Sequence, residues 1–167
     1  GPILGFAILG NYSLALQIVV LLYLIPSIVF KYTLSHDAVG QANKKLKIYT
    51  ILISISVCII TIIISPYVIP SFFPKYEDVV LIVQIMSLDV IPGTIALLYT
   101  SKLLGIEKSK YVLIGKLSKT SVFVIGFIVL GSYYGIIGVA ISFVLSQIVE
   151  LIIYLSIRKK YLTENLP

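Results

Sequence analysis

Apolar positions in this chain form long unbroken runs, and charge is confined to the short stretches between them. No Asp, Glu, Lys or Arg occurs from Gly1 to Phe30, from Ile48 to Pro74 or from Thr120 to Val149. A bilayer core of ~30 Å takes roughly 20 apolar residues per helix, so the pattern predicts five crossings, at about 12–34, 48–70, 79–101, 111–130 and 136–157. The first opens at Gly10-Asn11 and is bent near its far end by Pro26. A polar loop from His36 to Lys47 leads to the second, which is expected to stop at the series Pro66, Pro70, Pro74, because proline cannot continue a regular helix. Phe72 to Asp78 is read as a short amphipathic connection. The third span contains Asp89 and is interrupted at Ile91-Pro92-Gly93, and the turn-forming stretch Gly131 to Gly135 divides the last long run into two helices. A membrane barrel would need alternating apolar and polar residues. Ile51 to Ile64 and Val122 to Leu130 are apolar on every side, so the expected class is all-α, a polytopic transmembrane helix bundle forming a single domain over residues 1–167.

Composition strengthens this reading. Hydrophobic residues make up 59% and charged residues 12%, with a mean hydropathy of +1.08, against roughly 45–50% and about 25% in soluble domains. The net charge of +6 does not point to nucleic acid, because the basic residues sit at the ends of apolar spans and not on one continuous polar face. They read as topology signals and contacts to anionic membrane lipids. Lys31, Lys44, Lys45 and Lys47 flank the first connection. Lys102, Lys108, Lys110, Lys116 and Lys119 flank the third, and Arg158, Lys159 and Lys160 follow the last span, which places twelve of the thirteen basic residues on one side. The other side has Lys75, next to Glu77 and Asp78. The expected placement is a multi-pass cell-membrane protein with the amino terminus of this segment outside and the carboxy terminus cytoplasmic. A single cysteine, Cys58, excludes a disulfide framework and a Cys-based metal site. The chain begins Gly1-Pro2, its one methionine is Met86, and no leader pattern opens it. It is therefore read as the carboxy-terminal piece of a longer polypeptide, whose upstream helices would be its first partners.

Polar groups at membrane depth are functional candidates by default. Asp89 lies ten residues into the third span, ~15 Å deep, and Pro92 and Gly93 just after it free backbone carbonyls nearby. Asp89, Pro92 and Gln84 are the candidates for a substrate or coupling-ion site. The plainer alternative is a carboxyl neutralised by a proton or by a partner helix. If the fourth and fifth spans are antiparallel neighbours, residues whose numbers sum to about 266 lie at equal depth. Lys116 then meets Glu150 and Lys119 meets Gln147 as interhelical polar pairs; the alternative is that both lysines snorkel to the headgroups. Gly138, Ser142 and Ser146 make a small-residue stripe that admits a further helix, and Tyr67, Tyr76, Tyr133 and Tyr134 mark the outer interface. No catalytic constellation is legible: His36 stands alone in a polar loop, and Gly115-Lys116-Leu117-Ser118 lacks the earlier glycine of a phosphate-binding loop. Asn11-Tyr12-Ser13 is a formal glycosylation acceptor close to the membrane. The chain is read as a non-enzyme that needs no cofactor and no metal.

Several short segments in order carry a family likeness. Gly10-Asn11-Tyr12-Ser13-Leu14-Ala15 opens a helix and Phe73-Pro74-Lys75-Tyr76 precedes another; Leu103-Leu104-Gly105 is followed by Lys108-Ser109-Lys110, and Gly135-Ile136-Ile137-Gly138-Val139-Ala140 opens the last helix. Together they resemble the carboxy-terminal half of Wzx-type, RfbX-like polysaccharide biosynthesis flippases of the multidrug/oligosaccharidyl-lipid/polysaccharide exporter superfamily. The resemblance implies an all-α transporter of two six-helix lobes, of which this chain would be part of the second. It also implies a polyprenyl-diphosphate-linked oligosaccharide as substrate and alternating access as mechanism. Two other readings stand beside it: a cation-coupled small-molecule exporter using Asp89 as its coupling carboxylate, and a non-transport membrane scaffold of an envelope assembly complex.

Overall fold

The structure, a computed structural model, describes residues 5–40, 43–74 and 79–161. It comprises six helices in chain order: α1 (Gly5–Leu22), α2 (Leu24–Ala38), α3 (Lys44–Phe72), α4 (Val79–Ser87), α5 (Val90–Gly105) and α6 (Ser109–Tyr161). Among the described residues there is no strand. Three helical stretches are long and apolar enough to cross a membrane, namely α3, the nearly continuous α4–α5 over Val79–Gly105, and α6; the bent pair α1–α2 makes a fourth if it counts as one span.

Helix α6 is not one rod. A straight helix would hold Lys116 and Glu150 ~50 Å apart at 1.5 Å per residue, whereas their charged atoms are 2.8 Å apart. The chain reverses at Gly135, whose φ of 59° and ψ of −137° leave the helical region. A side chain is strained at that φ, so glycine is the residue that permits the reversal. Helix persists up to Tyr134, so the expected five-residue turn from Gly131 contracts to this one residue. The resulting arms, 109–134 and 136–161, lie antiparallel. Two members of the small-residue stripe serve this hairpin: a Cβ on Gly138 would sit 2.0 Å from the Leu130 carbonyl oxygen, and one on Gly126 2.7 Å from the Ser142 hydroxyl.

Prolines shift the expected boundaries in a consistent way. A proline deprives the carbonyl four residues earlier of its donor and crowds it, so a break falls upstream of the proline. Pro26 stands in the first turn of α2 and the 46° bend falls at Tyr23, well before the far end of the span. Pro92 stands in the first turn of α5 and the interruption falls at Leu88-Asp89, not at Ile91 to Gly93. Pro66 and Pro70, by contrast, lie inside α3, which runs on to Phe72. The carbonyl that Pro66 deprives, that of Ile62, accepts a hydrogen bond from Gln84 Nε2 at 3.0 Å in place of the lost backbone donor. The first connection is also shorter than expected. Helix α2 takes in His36 and Asp37, and α3 starts at Lys44 under an Asn43 cap whose side chain accepts from the Leu46 N–H at 3.0 Å. Helix α1 extends back through Gly10-Asn11 to Gly5. Lys75, Tyr76, Glu77 and Asp78, and with them most of the expected amphipathic connection, lie outside the described residues, as do the side chains of Arg158, Lys159 and Lys160.

Two halves of this arrangement follow one plan. Tyr23 and Asp89 are 66 residues apart, and the same offset carries Ile25-Pro26 onto Ile91-Pro92 and α2 onto α5. Each kinked pair is then followed by a long apolar helix, α3 or the first arm of α6. The kinked pairs lie side by side, α1 against α4 and α2 against α5. One apolar core, built on Ala15, Val19, Ile69, Ile82, Val83, Met86 and Ala140, joins α1, α3, α4 and the second arm of α6; another joins α5 to the second arm through Ala96, Leu103 and Tyr154, with Tyr111 and Val112 of the first arm packed against it. Helix α3 inverts the soluble pattern. It buries Thr50, Ser54, Cys58 and Ser65 and exposes Leu52, Ile53, Ile59, Ile60, Ile63 and Ile64, as expected when lipid is the solvent and small polar residues mediate helix contacts.

Candidate functional site

The two helix breaks meet. The Tyr23 hydroxyl, at the α1–α2 bend, donates to Asp89 at the α4–α5 break, with 2.6 Å to Oδ2 and 3.0 Å to the backbone carbonyl. This approach requires Gly93, since a Cβ there would lie 1.6 Å from the Tyr23 hydroxyl oxygen. Asp89 is 1% exposed, and its second carboxylate oxygen, Oδ1, has no hydrogen-bond partner. Ser65 Oγ is the other buried side-chain polar atom in that condition among the described residues. A buried acceptor left unpaired costs on the order of 1–3 kcal/mol, so Oδ1 marks the point where a proton, a cation or a donor group of a ligand gains most. Pro92 contributes by breaking the helix there, and its own ring carries no donor.

A second polar cluster spans the α6 hairpin. Glu150, 0% exposed, lies 2.8 Å from Lys116 Nζ through Oε1 and 3.8 Å from Lys119 Nζ through Oε2. Tyr154 donates to Oε1 at 3.0 Å, and Gln147 Nε2 donates to Oε2 at 3.0 Å. Lys119 in turn donates to Gln147 Oε1 and lies 5.7 Å from the centre of the Phe143 ring. Glu150 is thus fully solvated by protein, which is the condition for a charge to persist at depth. The lysine side chains are 48% and 27% exposed, whereas Glu150 is enclosed. This cluster and the Asp89 carboxylate are electrostatic neighbours: Lys119, Glu150 and Lys116 all act on Asp89 through space, and Tyr12 is a further neighbour.

Gln84 occupies a different place. Its amide is committed to the Ile62 carbonyl, which makes it a structural donor to α3, away from the Tyr23–Asp89 pair. Two residues that sequence reasoning missed are Tyr23 and Asp37. Tyr23 reads as one tyrosine of twelve in the chain, and the only local signal was its place three residues before a proline, as in Asp89 and Pro92. Asp37 was assigned to a polar loop, whereas it is buried, paired with Lys47 at 2.6 Å and accepting from Ser101 at 2.7 Å. His36 packs against Tyr32 with 4.4 Å between ring centres and the ring planes tilted by 41°. Among the described residues no three His, Cys, Asp or Glu side chains come together as metal ligands. Gly115 lies in α6 against the Tyr154 ring, where it permits close helix approach, and Asn11 to Ser13 lie within α1. No family model, curated protein or solved structure matches this chain. The chemistry of the site has to rest on its own geometry.

Proposed function

We propose that this chain is part of an alternating-access membrane transporter and that the Tyr23–Asp89 junction belongs to its central site. The observation that carries the proposal is an enclosed carboxylate with one unpartnered oxygen where two broken helices touch. Broken helices near the midplane are where such transporters place substrate and coupling ions, because irregular backbone is tolerated at that depth only inside protein or beside water. In this reading α1–α2, α3, α4–α5 and the two arms of α6 make five crossings, with Lys44 and Lys102 at the cytoplasmic end.

The substrate class we assign is a polyprenyl-linked oligosaccharide, supported by the order of the flippase-like segments along the chain, with the remaining helices supplied by the rest of the polypeptide. The unpartnered Oδ1 specifically favours a second reading, a cation-coupled exporter in which Asp89 takes a proton or metal cation. Vesicles containing the full-length protein separate the two. Flipping of a labelled lipid-linked oligosaccharide that falls in Asp89→Asn, with insertion unchanged, supports the first. Efflux of a small cationic dye driven by an ion gradient, without lipid flipping, supports the second. Wild-type rates of both processes in Asp89→Asn would remove this residue from the mechanism.

A further inference from the structure

Two buried acids, Asp89 and Glu150, and two lysines lie close together in this bundle, and they are not evenly matched. Glu150 makes a close ion pair with Lys116 at 2.8 Å and accepts hydrogen bonds from Tyr154 and Gln147, each at 3.0 Å. Lys119 stands off the same carboxylate at 3.8 Å. Its ammonium donates to a neutral group, the Gln147 side-chain carbonyl, and lies 5.7 Å from the centre of the Phe143 ring. Asp89 receives the Tyr23 hydroxyl on Oδ2 and has Oδ1 without a partner. Counted as pairs, Lys116 neutralises Glu150, which leaves Lys119 and Asp89 as one surplus cation and one surplus anion. The two border one core: Phe143, under the Lys119 ammonium, packs against the same apolar cluster as Tyr23, and that cluster includes Met86, three residues before Asp89. Lys119 also acts on Asp89 through space more strongly than Lys116 does. The other titratable groups around Asp89 are Tyr12 of α1, Tyr23 at the α1–α2 bend, and Lys116 and Glu150 of α6. On α3 the buried Cys58 thiol lies against Ser87 at 4.0 Å, and on α2 Asp37 is committed to Lys47 and Ser101.

We infer that Lys119 is an exchangeable counter-ion for Asp89. In one arrangement Lys119 rests on Gln147 and Oδ1 carries a proton; in the other the proton has left and the ammonium bonds Oδ1. Lysine carries its charge on a flexible four-carbon stem, and at low dielectric a carboxylate holds it more strongly than a neutral amide does. The exchange therefore keeps Asp89 balanced whenever the proton is gone. A proton needs a single oxygen, whereas a metal cation needs several ligands, and among the described residues no three His, Cys, Asp or Glu side chains gather to supply them. This role deepens the cation-coupled reading of the junction and rests on it. Lys119 is then a positioning residue, and Gln147 is its holder.

Labelling of the full-length protein in phosphatidylcholine vesicles with dicyclohexylcarbodiimide, an apolar reagent that adds to a protonated carboxyl, tests the exchange. The rate is read by mass spectrometry on the peptide that carries Asp89. At fixed pH Lys119→Met is expected to raise that rate roughly tenfold, the scale of one unit charge acting across a protein interior, and Lys119→Arg to keep it near wild type. Gln147→Leu, which frees the ammonium, is expected to lower the rate severalfold. Gln147→Leu combined with Lys119→Met is expected to follow Lys119→Met, because the holder then has nothing to hold. An unchanged rate in Lys119→Met overturns the exchange. So does an unchanged or raised rate in Gln147→Leu, which would reduce Lys119 to a fixed background charge. Slowing of the wild-type labelling by Na+ at constant pH would put a metal cation on Oδ1 and overturn it too. Labelling requires no transport, so these rates decide the exchange separately from the transport assays on Asp89→Asn.

Discussion

The hydroxyl of Tyr23 reaches Asp89 only because residue 93 has no side chain, so three residues on two helix breaks form one unit. Gly93→Ala must push the Tyr23 ring away, and it should lower the unfolding temperature in detergent well below the effect of Gly131→Ala, whose Cβ would meet Val139 at a tolerable 3.2 Å. Tyr23→Phe keeps the ring and removes the donor, leaving a second oxygen of a buried carboxylate unpaired; a loss of about 1–3 kcal/mol is expected from denaturant titration. Equal unfolding temperatures for Gly93→Ala and Gly131→Ala would mean that the tyrosine has somewhere else to go. At this scale Asp89 is legible in sequence, because a carboxylate in an apolar run is conspicuous. Tyr23 is not, because its role depends on a residue 66 positions away.

At Pro66 a side chain from another helix serves the carbonyl that the proline abandons. Gln84 serves Ile62, and α3 runs through Pro66. Removing that donor with Gln84→Leu should cost about 1–3 kcal/mol, and Pro66→Ala, which restores a backbone N–H to the same carbonyl, should recover most of it in the double variant. Additive costs would show that the amide and the proline act separately. The α6 hairpin obeys similar logic with charge. Glu150→Gln leaves Lys116 and Lys119 without their shared counter-ion, so it should destabilise more than Glu150→Gln combined with Lys116→Met, again read from the double-variant cycle. An antiparallel hairpin pairs residues by a constant sum of numbers, which is why Lys116 and Glu150 can be matched on paper; the exposure of the lysines and the part of Tyr154 depend on side-chain geometry.

For the whole molecule, lipid as solvent reverses the usual sorting, with isoleucines outside on α3 and hydroxyls inside. If the five-crossing topology holds, single cysteines in a Cys58-substituted background at Lys44 or Lys108 will resist an impermeant thiol reagent in intact cells, and cysteines at Ser71 or Tyr133 will react. Labelling at Lys44 with protection at Tyr133 would invert the orientation. Labelling of both would require an even number of crossings between them.

The linear order of residues determined the helical class, the apolar stretches and the reversal near Gly135, since each follows from local runs of apolar residues, charge or a single permissive glycine. Only the tertiary structure decided where the kinks fall, that two of them touch, that Asp37 is buried with Lys47 and Ser101, and that Gln84 repairs α3. At Pro66 the donor that replaces the lost backbone hydrogen bond comes from another helix, Gln84 of α4. Local sequence announces the broken bond at each proline; the packed bundle determines whether it is replaced.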